Sequence, residues 1–195
     1  IHQSLMDDEG KQNLFSDLDN KHKLSEIAQQ YIAGQLLLMP PLTALSCPTI
    51  NSYKRAVSRI WSPINVSWGI ENRTTAIRTI PGITPESTRV EYRLAGADAN
   101  PYLAMAAVLA SGLYGIEHKV ELPPSTSGNA YEDPNLQPLP PNLTAATRWL
   151  DQSEAAREYL GDTFVDHFVM TREYEVRRYE KAVTNWELHR YFEAI

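Results

Sequence analysis

The chain has 195 residues, 43% of them hydrophobic and 22% charged, which fits one globular domain with a buried core and excludes wholesale disorder. With 18 lysines and arginines against 24 aspartates and glutamates the net charge is −6, which argues against a general affinity for nucleic acid or an anionic membrane. The single cysteine, Cys47, leaves no internal disulfide or cysteine-built zinc site, and no apolar run approaches the ~20 residues of a membrane span, so a reducing, cytoplasmic setting is expected.

The chain opens Ile1-His2-Gln3-Ser4-Leu5 with neither an initiator methionine nor a signal-peptide pattern, and earlier sequence ahead of it is expected. Residues 5–20 are polar and read as loop. Asp17 and Asp19 have the spacing of a calcium loop, but its glycine and terminal glutamate are missing. From Leu24 the spacing of Ile27, Tyr31, Gly34 and Leu38 predicts one stripe of a helix, interrupted at Pro40 and Pro41. Residues 47–51 read as loop. Three short strands are predicted near 64–70, 74–80 and 88–94, separated by turn signals at Pro81-Gly82 and Thr84-Pro85. Asn100 before Pro101 is an N-cap with proline in the first helical position, and the Ala- and Leu-rich helix to about His118 is expected to be buried on most sides. The six prolines of residues 121–142 predict an exposed, extended connection. Val169, Arg172, Val176, Tyr179, Val183 and Trp186 predict a final amphipathic helix whose seam suits a core.

The densest chemical signal is Arg89-Val90-Glu91-Tyr92-Arg93. In a strand, Arg89, Glu91 and Arg93 share one face, and Val90, Tyr92 and Leu94 the other. A carboxylate between two guanidiniums suits an anion and a metal bound together, and it equally suits a solvated face of cross-strand ion pairs. Arg55, Arg73 and Arg78 raise the count to five arginines in or near predicted strands. Guanidinium forks capture phosphate or carboxylate in a planar, bidentate manner, so the five could converge on one polyanion. His2 is a candidate ligand or donor, although a lone terminal histidine is more often a surface residue. The sequence contains no Walker phosphate loop, no GxGxxG and no GxSxG elbow.

These residues resemble the C-terminal part of the glutamine synthetase family. The matches follow the family's order: HQSL at 2–5, NLF at 13–15, PTINSYKR at 48–55, ENRTTAIR at 71–78, RVEYR at 89–93 and ANPYLAMAAVLASGLYGIE at 99–117. The resemblance implies an α+β fold, the C-terminal part of a catalytic domain in which helices back a curved, mainly antiparallel sheet. It also implies an ATP- and divalent-metal-dependent (Mg2+ or Mn2+) ligase. In that family glutamate attacks the ATP γ-phosphate, and ammonia or another amine then displaces phosphate from γ-glutamyl phosphate. Carried over by position, Glu91 would be a metal ligand. Arg73, Arg78 and Arg89 would hold ATP phosphates, with Ser4 beside the nucleotide. Arg55 and Arg93 would hold glutamate or the acyl phosphate, assisted by His2, and Arg55 and Arg73 would be catalytic. The intact protein would form a homo-oligomeric ring.

Two departures bear on activity. The family pattern Gly-Ser-Gly-Met-His-x-His reaches this chain only from its x, at Ile1, so the metal-binding first histidine is not in it, nor are the N-terminal β-grasp domain and the first half of the catalytic domain. The chain by itself is therefore expected to be inactive. Trp61 stands where ammonia-using members carry a loop glutamate that takes a proton from ammonium. A tryptophan cannot do that, but it can wall a larger amine, as in the γ-glutamyl-amine ligase branch, or it can simply pack in its loop. Outside catalysis, the alternative is a noncatalytic scaffold or regulatory protein of the same family, and the clustered arginines argue against it.

Overall fold

The computed structural model describes residues 1–55 and 62–194. Trp61, the amine-site candidate, therefore lies outside the described residues. The element order is β1 (His2–Gln3), α1 (Glu26–Ser46), α2 (Ile50–Lys54), β2 (Trp68–Ile70), β3 (Ile77–Ile80), β4 (Arg89–Tyr92), α3 (Pro101–Glu117), α4 (Leu143–Asp151), α5 (Glu154–Leu160), α6 (Asp162–Glu180) and α7 (Asn185–Tyr191). The strands form one four-stranded sheet in the order β1-β4-β3-β2, antiparallel except between β2 and β3. The expected α+β class holds. All three predicted strands form inside their predicted ranges, and β1 was too short to show an alternation.

Six residues connect the parallel strands β2 and β3, where a crossover of a dozen or more is usual. Three-residue β2 is only ~10 Å long, so a six-residue return at ~3.3 Å per residue can span it. The return is pinned at each step. Glu71 takes a left-handed backbone (φ 50°) and donates its N–H to Thr79 O at 2.9 Å. Asn72 Oδ1 accepts from the N–H and hydroxyl of Thr74, and Thr75 Oγ1 donates to Asn72 O.

Ser25 caps α1, its Oγ accepting from Ala28 N. The helix then runs through Pro40 and Pro41 to Ser46 instead of stopping there. The prolines remove the N–H groups that would reach the Leu36 and Leu37 carbonyls. Burial of Leu38, Met39, Leu42, Ala44 and Leu45 holds the chain helical across that gap. The expected loop at 47–51 ends earlier than predicted, because Thr49 and Ser52 make a reciprocal capping box that starts α2 at Ile50.

Asn100 accepts from Tyr102 N and Leu103 N, as its N-cap position predicts. However, α3 is buried on one side only. Ala104, Ala107, Val108, Ser111, Gly112 and Gly115 face inward, while Tyr102, Met105, Leu109 and Leu113 are exposed. Helices α1 and α3 meet backbone to backbone at glycines. A methyl group on Gly34 would lie 2.2 Å from Ser111 O, and one on Gly115 would lie 2.0 Å from Gln30 O.

The proline-rich connection is extended but not simply exposed: it covers the outer edge of β2. Thr126 N donates to Trp68 O (2.9 Å), Trp68 Nε1 to Pro123 O (2.8 Å) and Asn72 Nδ2 to Gly128 O (2.8 Å), and Asn65 bridges Pro138. The predicted final helix is two helices, divided where Thr184 caps α7. Its seam is buried at Val169 but exposed at Tyr179, Val183 and Trp186. Among the described residues no helix is long and apolar enough to cross a membrane.

The glycine contact yields a stability prediction. Gly34→Ala or Gly115→Ala forces α1 and α3 apart and is expected to cost about 1–3 kcal/mol, read as a lower urea midpoint with an unchanged slope. Alanine at Gly10, which has open space around it, tests strain from its positive φ without the helix contact.

Candidate functional site

The site is laid out by strand register. His2 pairs with Glu91 across β1–β4, Glu91 with Arg78 across β4–β3, and Arg78 with Gly69 across β3–β2. Directly paired residues project to the same face, so His2, Glu91 and Arg78 form a row. The other face of β4 closes the core, with Val90, Tyr92 and Leu94 at 0%, 2% and 2% exposure, so the face assignment read from the sequence holds.

Glu91 is the centre of the row. Its Oε2 lies 3.3 Å from Arg78 Nη1 and 3.9 Å from Arg93 Nε, and its Oε1 lies 3.9 Å from His2 Nε2. The Arg78 and Arg93 side chains are only 17% and 11% exposed, so these charges are held partly out of water, unlike an ordinary surface pair. Arg93 also donates Nη1 to Thr75 O at 2.8 Å. Arg78 is shared. Its Nε and Nη2 donate to Glu71 Oε2, and those bonds together with Glu91 raise its pKa against the lowering effect of burial.

The structure thus joins His2, Arg78, Glu91 and Arg93 in one cluster. Arg89 shares their face, two residues along β4, but turns Nη1 to Ser87 O at 2.8 Å. Arg55 caps the end of α2 and reaches the end of the same strand, donating Nη2 to Leu94 O at 2.8 Å. Ser4 is exposed just beyond β1, and Arg73 is exposed in the β2–β3 return; among the described residues neither bonds to the cluster.

Three supporting residues escaped the sequence reading. Glu71 lies inside the ENRTTAIR motif, but only the β2–β3 return brings it onto Arg78. Asn13, buried at 3%, donates Nδ2 to Thr88 O (2.7 Å) and Pro85 O (3.0 Å) and so fixes the turn that leads into β4. Asp98 Oδ2 accepts from Ser52 Oγ (2.6 Å) and Thr49 Oγ1 (2.7 Å) at the start of α2. Burial works to raise the Asp98 carboxyl, but the two hydroxyls and then the Arg55 charge outweigh it and hold the carboxyl below its ordinary value. Burial also pushes the Cys47 thiol up to about 12, which favours its neutral form.

Among the described residues no three His, Cys, Asp or Glu side chains converge. Glu91 and His2 offer one carboxylate and one imidazole, whereas a Mg2+-type ion takes six near-octahedral ligands, mostly oxygen. By themselves they do not make up such a site. Anion recognition is better provided for, by guanidiniums of Arg78, Arg89 and Arg93 along one face and Arg55 at its end.

The sequence model described as "Glutamine synthetase, catalytic domain" matches residues 1–191. Type-1 glutamine synthetase 2 of Dictyostelium discoideum is 44% identical over 187 residues, covering 94% of this chain and 36% of that protein. Glutamate–isopropylamine ligase of a Pseudomonas species is 40% identical over 197 residues, covering all of this chain and 42% of its own length. A solved GmaS/ADP complex superposes with a TM-score of 0.86 at 34% identity, over 99% of this chain and 45% of that one. The chain therefore spans less than half the length of each.

Because its folded-state pKa is lowered, Asp98 adds stability above its unfolded pKa and loses that contribution as pH falls through the folded value. The difference in urea midpoint between wild type and Asp98→Asn is expected to be full above about pH 5 and to shrink below about pH 4.

Proposed function

Because the chain belongs to the glutamine synthetase family, we propose that it is the arginine-bearing part of an ATP-dependent ligase that joins glutamate to an amine. The observation that carries this reading is the row of His2, Glu91 and Arg78 with Arg93 beside it, a carboxylate and guanidiniums on one open sheet face. The ADP in the GmaS complex supports nucleotide use.

In this reading a γ-carboxylate oxygen of glutamate attacks the γ-phosphorus of ATP and ADP leaves. The amine nitrogen then attacks the carbonyl carbon of the acyl phosphate, loses a proton, and phosphate departs. Both steps build and move negative charge, so positioned cations are the main requirement. Arg73, Arg78 and Arg89 hold phosphate, with Ser4 beside the nucleotide. Arg55 and Arg93 hold the glutamate carboxylates or the acyl phosphate, and His2 hydrogen-bonds the same substrate. Glu91 would supply one ligand to a Mg2+ or Mn2+ ion, whose charge would offset that of the phosphates. Before substrate arrives, the Glu71 and Glu91 carboxylates keep Arg78 desolvated and aimed.

The acceptor is an amine larger than ammonia. Trp61, in place of a proton-accepting glutamate, and the likeness to an isopropylamine ligase support this. With so few metal ligands, the 195-residue chain does not turn over by itself; the intact enzyme works as a cytoplasmic homo-oligomeric ring. A noncatalytic scaffold of the same family would have no use for partly buried guanidiniums around a carboxylate.

Phosphate release by the full-length protein, assayed with ATP, glutamate and a panel of amines, tests the reading. Turnover is expected with alkylamines or polyamines, and Arg78→Ala or Glu91→Ala is expected to lower it by about 100-fold or more. Turnover with ammonia alone would remove the role given to Trp61, and absence of turnover with every amine would favour the scaffold. Detectable γ-glutamyl transfer by the purified 195-residue chain would show that it needs no further ligands.

A further inference from the structure

We propose that Asp98 is a positioning residue that holds Arg55 in place at the end of the arginine-bearing face. Helix α2 has only five residues, too few to be stable by its own hydrogen bonds, so Arg55 at its C-cap is placed by whatever ties α2 down. Three ties meet there. The Thr49–Ser52 capping box closes the start of the helix. Arg172 Nη1, from α6, donates to Pro48 O at 2.5 Å. Asp98 then takes both capping hydroxyls on one carboxylate oxygen, at 2.6 and 2.7 Å, two charge-assisted bonds of the stronger kind.

Asp98 also stands beside Arg55. Both flank Gly96: a methyl group there would lie 2.3 Å from Asp98 Oδ1 and 3.7 Å from Arg55 Nη2. The absence of a side chain at Gly96 lets the β4–α3 connection turn tightly enough to bring the carboxylate to α2. Arg55 is thereby set between Leu94 O, which accepts from it, and a carboxylate that attracts it. The same carboxylate orders the helix that carries the guanidinium and balances the charge of that guanidinium. Asp98 stands next to Arg55, so it acts on the site through that guanidinium.

The substrate that Arg55 would hold, a glutamate carboxylate, rests on the function proposed above; the positioning does not. The test uses the 195-residue chain and side-chain NMR of the arginine Nε–H groups, with the Arg55 signal assigned by its loss in Arg55→Lys. In wild type that signal is expected to be shifted and slow to exchange with water. Asp98→Ala is expected to move it to the position of a free arginine, and Asp98→Asn, which keeps an acceptor for the hydroxyls, to restore it in part. An Arg55 signal unchanged in Asp98→Ala overturns the proposal. If Asp98→Ala does not fold, Asp98→Asn decides: an Arg55 signal at the wild-type position overturns the proposal, and one displaced towards the position of a free arginine upholds it. Titration of the full-length protein with L-glutamate separates the two readings. Asp98→Ala is expected to bind about tenfold more weakly than wild type. Wild type that does not respond to glutamate refutes the substrate assignment, while the Nε–H signal still decides the role of Asp98.

Discussion

A carboxylate on an open sheet face has to be neutralised where it stands, and in this chain the strand register does it. Glu91 meets Arg78 across one pairing and His2 across the other because the register of β1, β4 and β3 brings those three residues into line. A slip of one residue in either pairing would turn Glu91 towards Val90's neighbours in the core and send an apolar side chain outward. Because the strands have only two to four residues, register cannot come from length. It comes from the apolar partners behind the face, from Asn13 clamping the entry turn, and from the six-residue return that locks β2 to β3.

The same arrangement explains why guanidiniums gather here in an acidic protein. Arg78 and Arg93 are each fixed by a second acceptor, Glu71 for one and Thr75 O for the other, so an incoming anion would meet cations already ordered. Order established before binding lowers the entropic cost of capturing an anion, which would serve the charge-transferring reaction proposed above. Arg55 belongs to this scheme from a separate helix, and its placement depends on the connection that follows the strand.

Features with a local cause were legible in the sequence. The alternation of RVEYR gave the two faces of β4 correctly, and Asn100-Pro101 gave the start of α3, because a pleat and a cap are written in adjacent residues. Features decided by distant packing were not. Pro40 and Pro41 look like a break until the burial around them is known. The composition of α3 does not say which side another element covers, and the proline-rich connection gives no sign that it lies against β2. Glu71 and Asn13 open the ENRTTAIR and NLF matches and Asp98 lies outside every match, but no match shows the contact each makes: Asn13 and Asp98 reach segments far away in sequence, and Glu71 reaches Arg78 only through the β2–β3 return. Of the candidate site, Glu91, Arg78, Arg93 and His2 come together, whereas Ser4 and Arg73 stand apart from them.

The proline-rich connection makes the sheet directional. Its hydrogen bonds occupy the outer edge of β2 with a segment whose prolines cannot offer a full ladder to a further strand. Beyond β1, by contrast, no strand stands among the described residues. Growth of this sheet is therefore possible on one side only, and that side begins at His2. Whatever backbone extends it is bound to arrive next to the row that carries Glu91, so architecture and chemistry in this fold share a single open border.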